Sequence, residues 1–347
     1  MKNKTIIISL LIGTSILVAF IYIFRIGFIK VPQVKNLITN TVVTPTPFPF
    51  SELTIPFLRT KSYEGILNDR NVSYETATYT AYTTSYTSDG LKINGLLTIP
   101  KEQMSEGGFP AIVFVHGYIS PASYQTTQNY YDYVDYLAKN GFVVFKIDLR
   151  GHGNSEGEPG GAYYSSDYIL DTLGAYNALQ NSGFVNPEKI GLWGHSMAGN
   201  VISRVAAVKN DIPAVVIWGG AVYTYDDMKK YGIQDNSYLA PPSNSQRTSK
   251  RQELNSRYGQ FDSNSEFWKQ VPMTNYLDGI KTVFQLDHAL DDNVVNIGYS
   301  RDLKEIFDKN NIQAELNEYP SGGHNINGAS FTPAMENTVK FFKKYLE

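Results

Sequence analysis

The sequence predicts an α/β fold, a mostly parallel central sheet flanked by helices and preceded by an antiparallel hairpin. Three observations predict it. Short apolar runs recur at 111–115, 143–147, 190–193, 214–218, 283–286 and 314–318, as strands buried on both faces do. Between them, residues 130–139, 167–179, 198–208, 300–309 and 333–345 carry apolar side chains at helical spacing, and such alternation implies parallel strands joined by crossover helices. Ahead of these, residues 76–100 alternate in character around Asp89-Gly90, a turn dipeptide that marks a hairpin, here expected at the edge of the sheet.

One stretch breaks the rhythm. Residues 222–276 include Ala240-Pro241-Pro242-Ser243-Asn244-Ser245, then charged and weakly periodic sequence, then Phe267-Trp268. That is too long for a plain connection, so it is read as a cap inserted into the catalytic domain, which spans 51–347.

Residues 5–24 carry no charge and follow Lys2 and Lys4. As a helix they would cover roughly 30 Å of hydrocarbon. The following residues 20–28 are bulky apart from Gly27, which does not suit a cleavage site. An uncleaved transmembrane signal anchor over 1–30 is expected, with the amino terminus in the cytoplasm and the catalytic domain outside it; secretion after signal cleavage is the alternative. Residues 31–50, with Val42-Val43-Thr44-Pro45-Thr46-Pro47-Phe48-Pro49, read as an extended linker.

Composition narrows the function. A net charge of −3 over 347 residues leaves no basic surplus for phosphates, so no nucleic-acid partner is expected. There are no cysteines, which removes disulfides, thiolate metal sites and a cysteine nucleophile. The 25 tyrosines, many in loop segments, suit the rim of a binding cleft as well as ordinary packing between core and water.

The chemistry centres on Gly194-His195-Ser196-Met197-Ala198-Gly199, which a strand precedes and a helix follows. That is the setting of a nucleophile elbow: the serine sits on a sharp strand-to-helix turn, small residues two positions to either side avoid clashes, and the next N–H, here from Met197, points at the developing oxyanion. A second oxyanion donor is expected from Tyr118, after Val115-His116-Gly117.

A serine nucleophile needs a base that titrates near neutrality, and the chain has five histidines. His195 adjoins the serine and should point to the opposite side of the elbow. His116 closes a strand, and His152 lies in a tight loop that it is expected to hold. His288 precedes the acidic turn. His324, in the glycine-rich loop Ser321-Gly322-Gly323-His324, is the preferred base, with His152 and His288 left as alternatives. Asp287, Asp291 and Asp292 crowd one turn, and one of them should orient the histidine. A metal site built from His288 and these carboxylates was weighed and set aside.

Residues 76–347 resemble the prolyl oligopeptidase-like and dienelactone hydrolase-like branch of the α/β-hydrolases. The matching segments are Ile112-Val113-Phe114-Val115-His116-Gly117, Asp148-Leu149-Arg150-Gly151-His152-Gly153-Asn154-Ser155, the elbow, and Gly323-His324. The related pattern His-Gly-x-x-Asp-x-x-Val reads here His288-Ala289-Leu290-Asp291-Asp292-Asn293-Val294-Val295 and places the acid at Asp292, with Asp291 in reserve. Ala198, Ala289 and Asn296 depart from the residues usual in the family.

The resemblance implies an α/β-hydrolase fold and acyl hydrolysis through a serine-bound intermediate, with the triad Ser196, Asp292 and His324 and no cofactor. A carboxylic ester is the expected substrate. A short peptide is the alternative, with Asp226-Asp227 as the adjacent acidic pair able to hold a substrate amine. Acyl transfer and a non-catalytic binding role stand behind these.

Overall fold

The computed structural model describes residues 49–347. The anchor and nearly all of the linker expected from the sequence lie outside the described residues. Among the described residues, no helix is long and apolar enough to cross a membrane.

Nine strands form one sheet in the order β1-β2-β3-β5-β4-β6-β7-β8-β9. The first three are β1 (Asn71–Glu75), β2 (Tyr79–Ser88) and β3 (Leu91–Pro100), and they pair antiparallel. Asp89 and Gly90 both take positive φ, 50° and 80°, as a tight two-residue hairpin turn requires. The hairpin is not at the edge. β1 covers β2, and β3 pairs antiparallel with β5. The segment before residue 76 had given no clear strand pattern, because β1 is mostly exposed and its register slips at a bulge.

The remaining strands, β4 (Phe109–Val115), β5 (Val143–Ile147), β6 (Val185–His195), β7 (Ala214–Trp218), β8 (Val283–Ala289) and β9 (Ala314–Tyr319), are parallel to one another. Alternate residues point to opposite faces. Val113, Phe145, Leu192, Val215 and Ile217 join one apolar cluster, while Ile112, Phe114, Val144, Trp193 and Val216 join the other. Both faces are covered, which is why the runs in the sequence are continuous rather than alternating.

A single helical turn, α1 (Ile55–Leu58), precedes the sheet. On one face pack α3 (Asp167–Gln180), α4 (Met197–Val208) and α7 (Gly298–Lys309); on the other pack α2 (Tyr131–Lys139) and α8 (Phe331–Leu346). Between β7 and β8 the chain forms α5 (Tyr225–Tyr231), α6 (Gln246–Tyr258) and two short 3-10 turns. This segment has its own aromatic core. Tyr225 stacks on Phe261 at 4.4 Å and Tyr258 on Phe267 at 3.8 Å, with Trp268 and Leu254 buried beside them.

Candidate active site

Ser196 stands between β6 and α4 with φ 56° and ψ −120°. Such a conformation in a non-glycine residue costs roughly 1–3 kcal/mol and persists only where the surroundings enforce it. Here they do. The Ser196 N–H donates to the Trp218 carbonyl at 2.8 Å, and Gly199 N–H returns to the Ser196 carbonyl at 2.9 Å. A Cβ on Gly194 would come within 2.8 Å of Ile202, and one on Gly199 within 2.8 Å of the Gly220 backbone. Position 198 has room for the Ala198 methyl, so the displaced glycine leaves the turn intact.

His324 follows β9 in a short 3-10 turn. Its Nδ1 lies 2.8 Å from Asp292 Oδ2. The other oxygen of Asp292 accepts the N–H groups of Val294 and Val295, each at 2.9 Å. Burial alone would raise the Asp292 carboxyl, but hydrogen bonds with His288 and His324, the charge of His324 and the Val295 N–H hold it well below the usual carboxylate range. Its side chain is 1% exposed, so it is an ionised carboxylate whose Oδ2 lies 2.8 Å from His324 Nδ1 and 3.2 Å from His288 Nε2.

The neighbouring acids do other work. Asp291 accepts the backbone N–H of Gly323 at 2.8 Å and of Gly322 at 3.2 Å, clasping the loop rather than the ring. Asp287 is fully buried; burial raises it to about 7 although Gln285, Tyr319 and Asn317 donate to it.

The other histidines are tied down. His288 bonds Ser300 Oγ at 2.8 Å and the Val295 carbonyl at 2.9 Å, with Nε2 3.2 Å from Asp292. His152 bonds the carbonyls of Leu149 and Ile119, linking the loops after β5 and β4. His116 is buried, with Nδ1 2.7 Å from the Gly117 carbonyl.

His195 does not point to the opposite side of the elbow. Its ring lies 4.5 Å from that of His324, because Tyr130 draws it there. Tyr130 Oη is 2.7 Å from His195 Nδ1 and accepts the Gly117 N–H at 3.0 Å, while His195 Nε2 is 2.8 Å from the His324 carbonyl. Burial, then the neighbouring His324, push His195 down to about 3. A neutral ring that donates from Nε2 and accepts at Nδ1 satisfies every bond in the chain. It is a strut joining the oxyanion loop, the elbow and the histidine loop. Tyr130 carries no local signal for this role, because its partner is 65 positions away.

Two cavities meet at the serine. One, of about 640 Å³, is lined by His324 and a group of amides that includes Asn129, Gln234, Asn293 and Asn327. The other, of about 460 Å³, is more enclosed and mainly apolar, with Met197, Tyr163, Tyr168, Leu239 and Pro241 in its wall. Ser196, Tyr118 and Asp235 line both. Met197 opens α4, so its N–H belongs to the unpaired first turn of a helix, and Tyr118 lies in the loop after β4. The Tyr118 hydroxyl accepts the N–H of Leu239 at 2.8 Å, joining this loop to the cap. Neither Asp226 nor Asp227 lines either cavity. Asp227 N–H is instead bound to the helix-capping Thr224.

Residues 109–253 match the family described as Serine aminopeptidase, S33. An uncharacterised peptidase, YuxL, of Bacillus subtilis is 21% identical over 75% of this chain and 37% of its own length. The chain spans about a third to a half of the length of the curated relatives it matches. Among solved structures, acetyl xylan esterase 1 from a Thermoanaerobacterium species is 20% identical, with a TM-score of 0.59 over 87% of this chain and 95% of that one. A puromycin-hydrolysing peptidase of Mycobacterium tuberculosis is 16% identical, with a TM-score of 0.60 over 79% of this chain and 41% of that one.

Proposed function

We propose that this α/β-hydrolase cleaves carboxylic esters through an acyl-enzyme, with Ser196 as nucleophile, His324 as base and Asp292 as its orienting acid. The observation that carries the reading is the 2.8 Å bond from Asp292 to His324 Nδ1, with His324 and Ser196 facing one cavity. Held at Nδ1, the ring presents Nε2 to the serine hydroxyl. As Ser196 Oγ attacks the acyl carbon, His324 takes its proton and Asp292 stabilises the imidazolium. The carbonyl oxygen becomes an oxyanion, which accepts the N–H groups of Tyr118 and Met197 at the positive end of α4. Collapse breaks the bond to the leaving oxygen, which takes the proton from His324 and departs as an alcohol. Water then attacks the acyl-serine with His324 again as base, releasing the acid and restoring Ser196.

Because His324 must protonate the leaving group, the cavity that His324 lines takes the alcohol. The enclosed cavity beside Met197 takes the acyl group. Ester turnover rather than peptide turnover is favoured because Asp226-Asp227, the candidate pair for a substrate amine, lines neither cavity. The peptidase reading retains one support, Asp235, a carboxylate that lines both. Comparing p-nitrophenyl esters with dipeptidyl p-nitroanilides separates the two readings. Ser196→Ala should lower ester turnover by roughly 10⁴- to 10⁶-fold, and a protein that keeps its activity after this change has a different nucleophile. Residues 5–24 are proposed to anchor the domain outside the cytoplasm. The full chain should then sediment with membranes and resist alkaline carbonate.

A further inference from the structure

The enclosed cavity carries a feature that ester cleavage does not require. α6 brings two arginines, Arg247 and Arg251, to its wall, and neither lines the cavity that holds His324. Arg247 reaches the turn at Gly161, where a Cβ would meet its Nη2 at 2.5 Å and its Cζ at 3.1 Å. Gly161 also has φ +80°. The backbone conformation favours glycine there, and the missing side chain leaves room for the guanidinium. Arg251 sits over the Tyr164 ring with its Cζ 4.1 Å from the centroid, and its Nη2 donates to Tyr164 Oη at 3.1 Å. Stacking and the bond to Tyr164 orient the Arg251 plane, which limits the entropy lost when a ligand binds.

Among the described residues, neither guanidinium forms an ion pair with a carboxylate. The ion pair that α6 makes among the described residues joins Arg257 to Glu253. The acid of the cavity, Asp235, lines both cavities, as Ser196 does, and its Oδ1 accepts from the N–H and hydroxyl of Ser237. The cavity is therefore polarised. Its carboxylate, Asp235, is shared with the cavity that His324 lines, whereas its two arginines are not.

We infer that the acyl group carries an oxyanion at its far end, bound by Arg247 and Arg251, so that the preferred substrate is the ester of an acid with a second, distal carboxylate-like group. The apolar wall takes the body of the acyl chain, and the paired guanidiniums bind the oxyanion through charge-assisted bonds. Asp235 repels the same anion from the reacting end and so prevents reversed binding. This inference rests on the proposed acyl-enzyme reading.

The probes are the p-nitrophenyl half-ester of a linear dicarboxylic acid and the p-nitrophenyl ester of the monocarboxylic acid of equal length, which share one leaving group. Their ratio of kcat/KM, charged over neutral, should exceed that of Arg247→Gln/Arg251→Gln by at least tenfold. Arg247→Glu should shift preference toward an acyl chain of the same length ending in an ammonium group. Raising ionic strength from about 0.01 to about 1 M, which shortens the screening length from roughly 30 to roughly 3 Å, should weaken only the charged ester's turnover in the wild type. Because each value is a ratio within one protein, loss of folded protein does not mimic the effect. An equal ratio in wild type and double variant overturns the inference. Turnover of both esters by Ser196→Ala overturns the acyl-enzyme reading beneath it.

Discussion

Two stretches of chain meet around Ser196, and they are built on different physics. The loops that follow β4, β6, β8 and β9 bring Tyr118, Ser196, Asp292 and His324 to the carboxyl ends of parallel strands, where such sheets place their sites. Ser196, Asp292 and His324 are fixed by backbone hydrogen bonds or by a buried polar partner. The cap contributes residues such as Gln234, Asp235, Leu239 and Arg247. It folds on an aromatic cluster of its own, and among the described residues its tie to the oxyanion loop includes a single bond from Leu239 N–H to Tyr118. On the proposed reading, the sheet side carries the reaction and the cap selects what reacts.

If that division is right, the largest losses come from the sheet side. Asp292→Asn should reduce kcat by roughly 10⁴-fold, because an amide stabilises neither the required tautomer nor the imidazolium. Asp291→Asn, one position away, removes only an acceptor for two loop N–H groups and should cost about tenfold or less. Equal losses in the two variants, measured by steady-state kinetics on one ester, would return the acid assignment to an open question.

The same division explains what could be read in the residues. The strands at 143–147 and 214–218 and the elbow are specified locally, by apolar runs and by small residues at fixed offsets, so sequence and structure agree there. Order along the chain leaves Asp287, Asp291 and Asp292 equally placed between Ser196 and His324, and only the family pattern His-Gly-x-x-Asp-x-x-Val singles out Asp292. The exposed strand β1 was not legible, since most of its residues face water and it carries no buried stripe. Nor was the orientation of His195, which depends on Tyr130, nor the lining by Arg247, which depends on how the cap packs. Long-range side-chain partners leave no periodic trace in a single sequence.

Tyr130 gives the next test, of intermediate size. Removing its hydroxyl leaves the Gly117 N–H and His195 Nδ1 without their partner, so the oxyanion loop and the histidine loop lose their common strut. Tyr130→Phe should lower kcat roughly tenfold with KM little changed, as misplacement of catalytic groups does. A change confined to KM would instead make Tyr130 part of substrate binding.

Asp287 tests the sheet side through stability rather than rate. Its folded pKa is raised to about 7 by burial, whereas an exposed aspartate titrates near 4. The folded protein therefore holds the proton more tightly than the unfolded chain. The contribution is full below about pH 4 and is lost as pH rises through about 7. Asp287→Asn should flatten the decline in melting temperature across that window, and parallel pH profiles for the two proteins would refute the assignment.

The smallest effect belongs to the seam between the two regions. Tyr118→Phe keeps the backbone N–H that serves the oxyanion and deletes only the hydroxyl that accepts Leu239 N–H. A hydrogen bond of this kind is worth about 0.5–1.5 kcal/mol net, and its loss loosens cap residues 239–242, which wall the acyl cavity. KM should rise about three- to tenfold for long acyl chains, with kcat held within about twofold and acetyl esters less affected. A fall in kcat that is the same for every acyl length would mean that Tyr118 positions the oxyanion loop through the cap, and that the two regions are mechanically one.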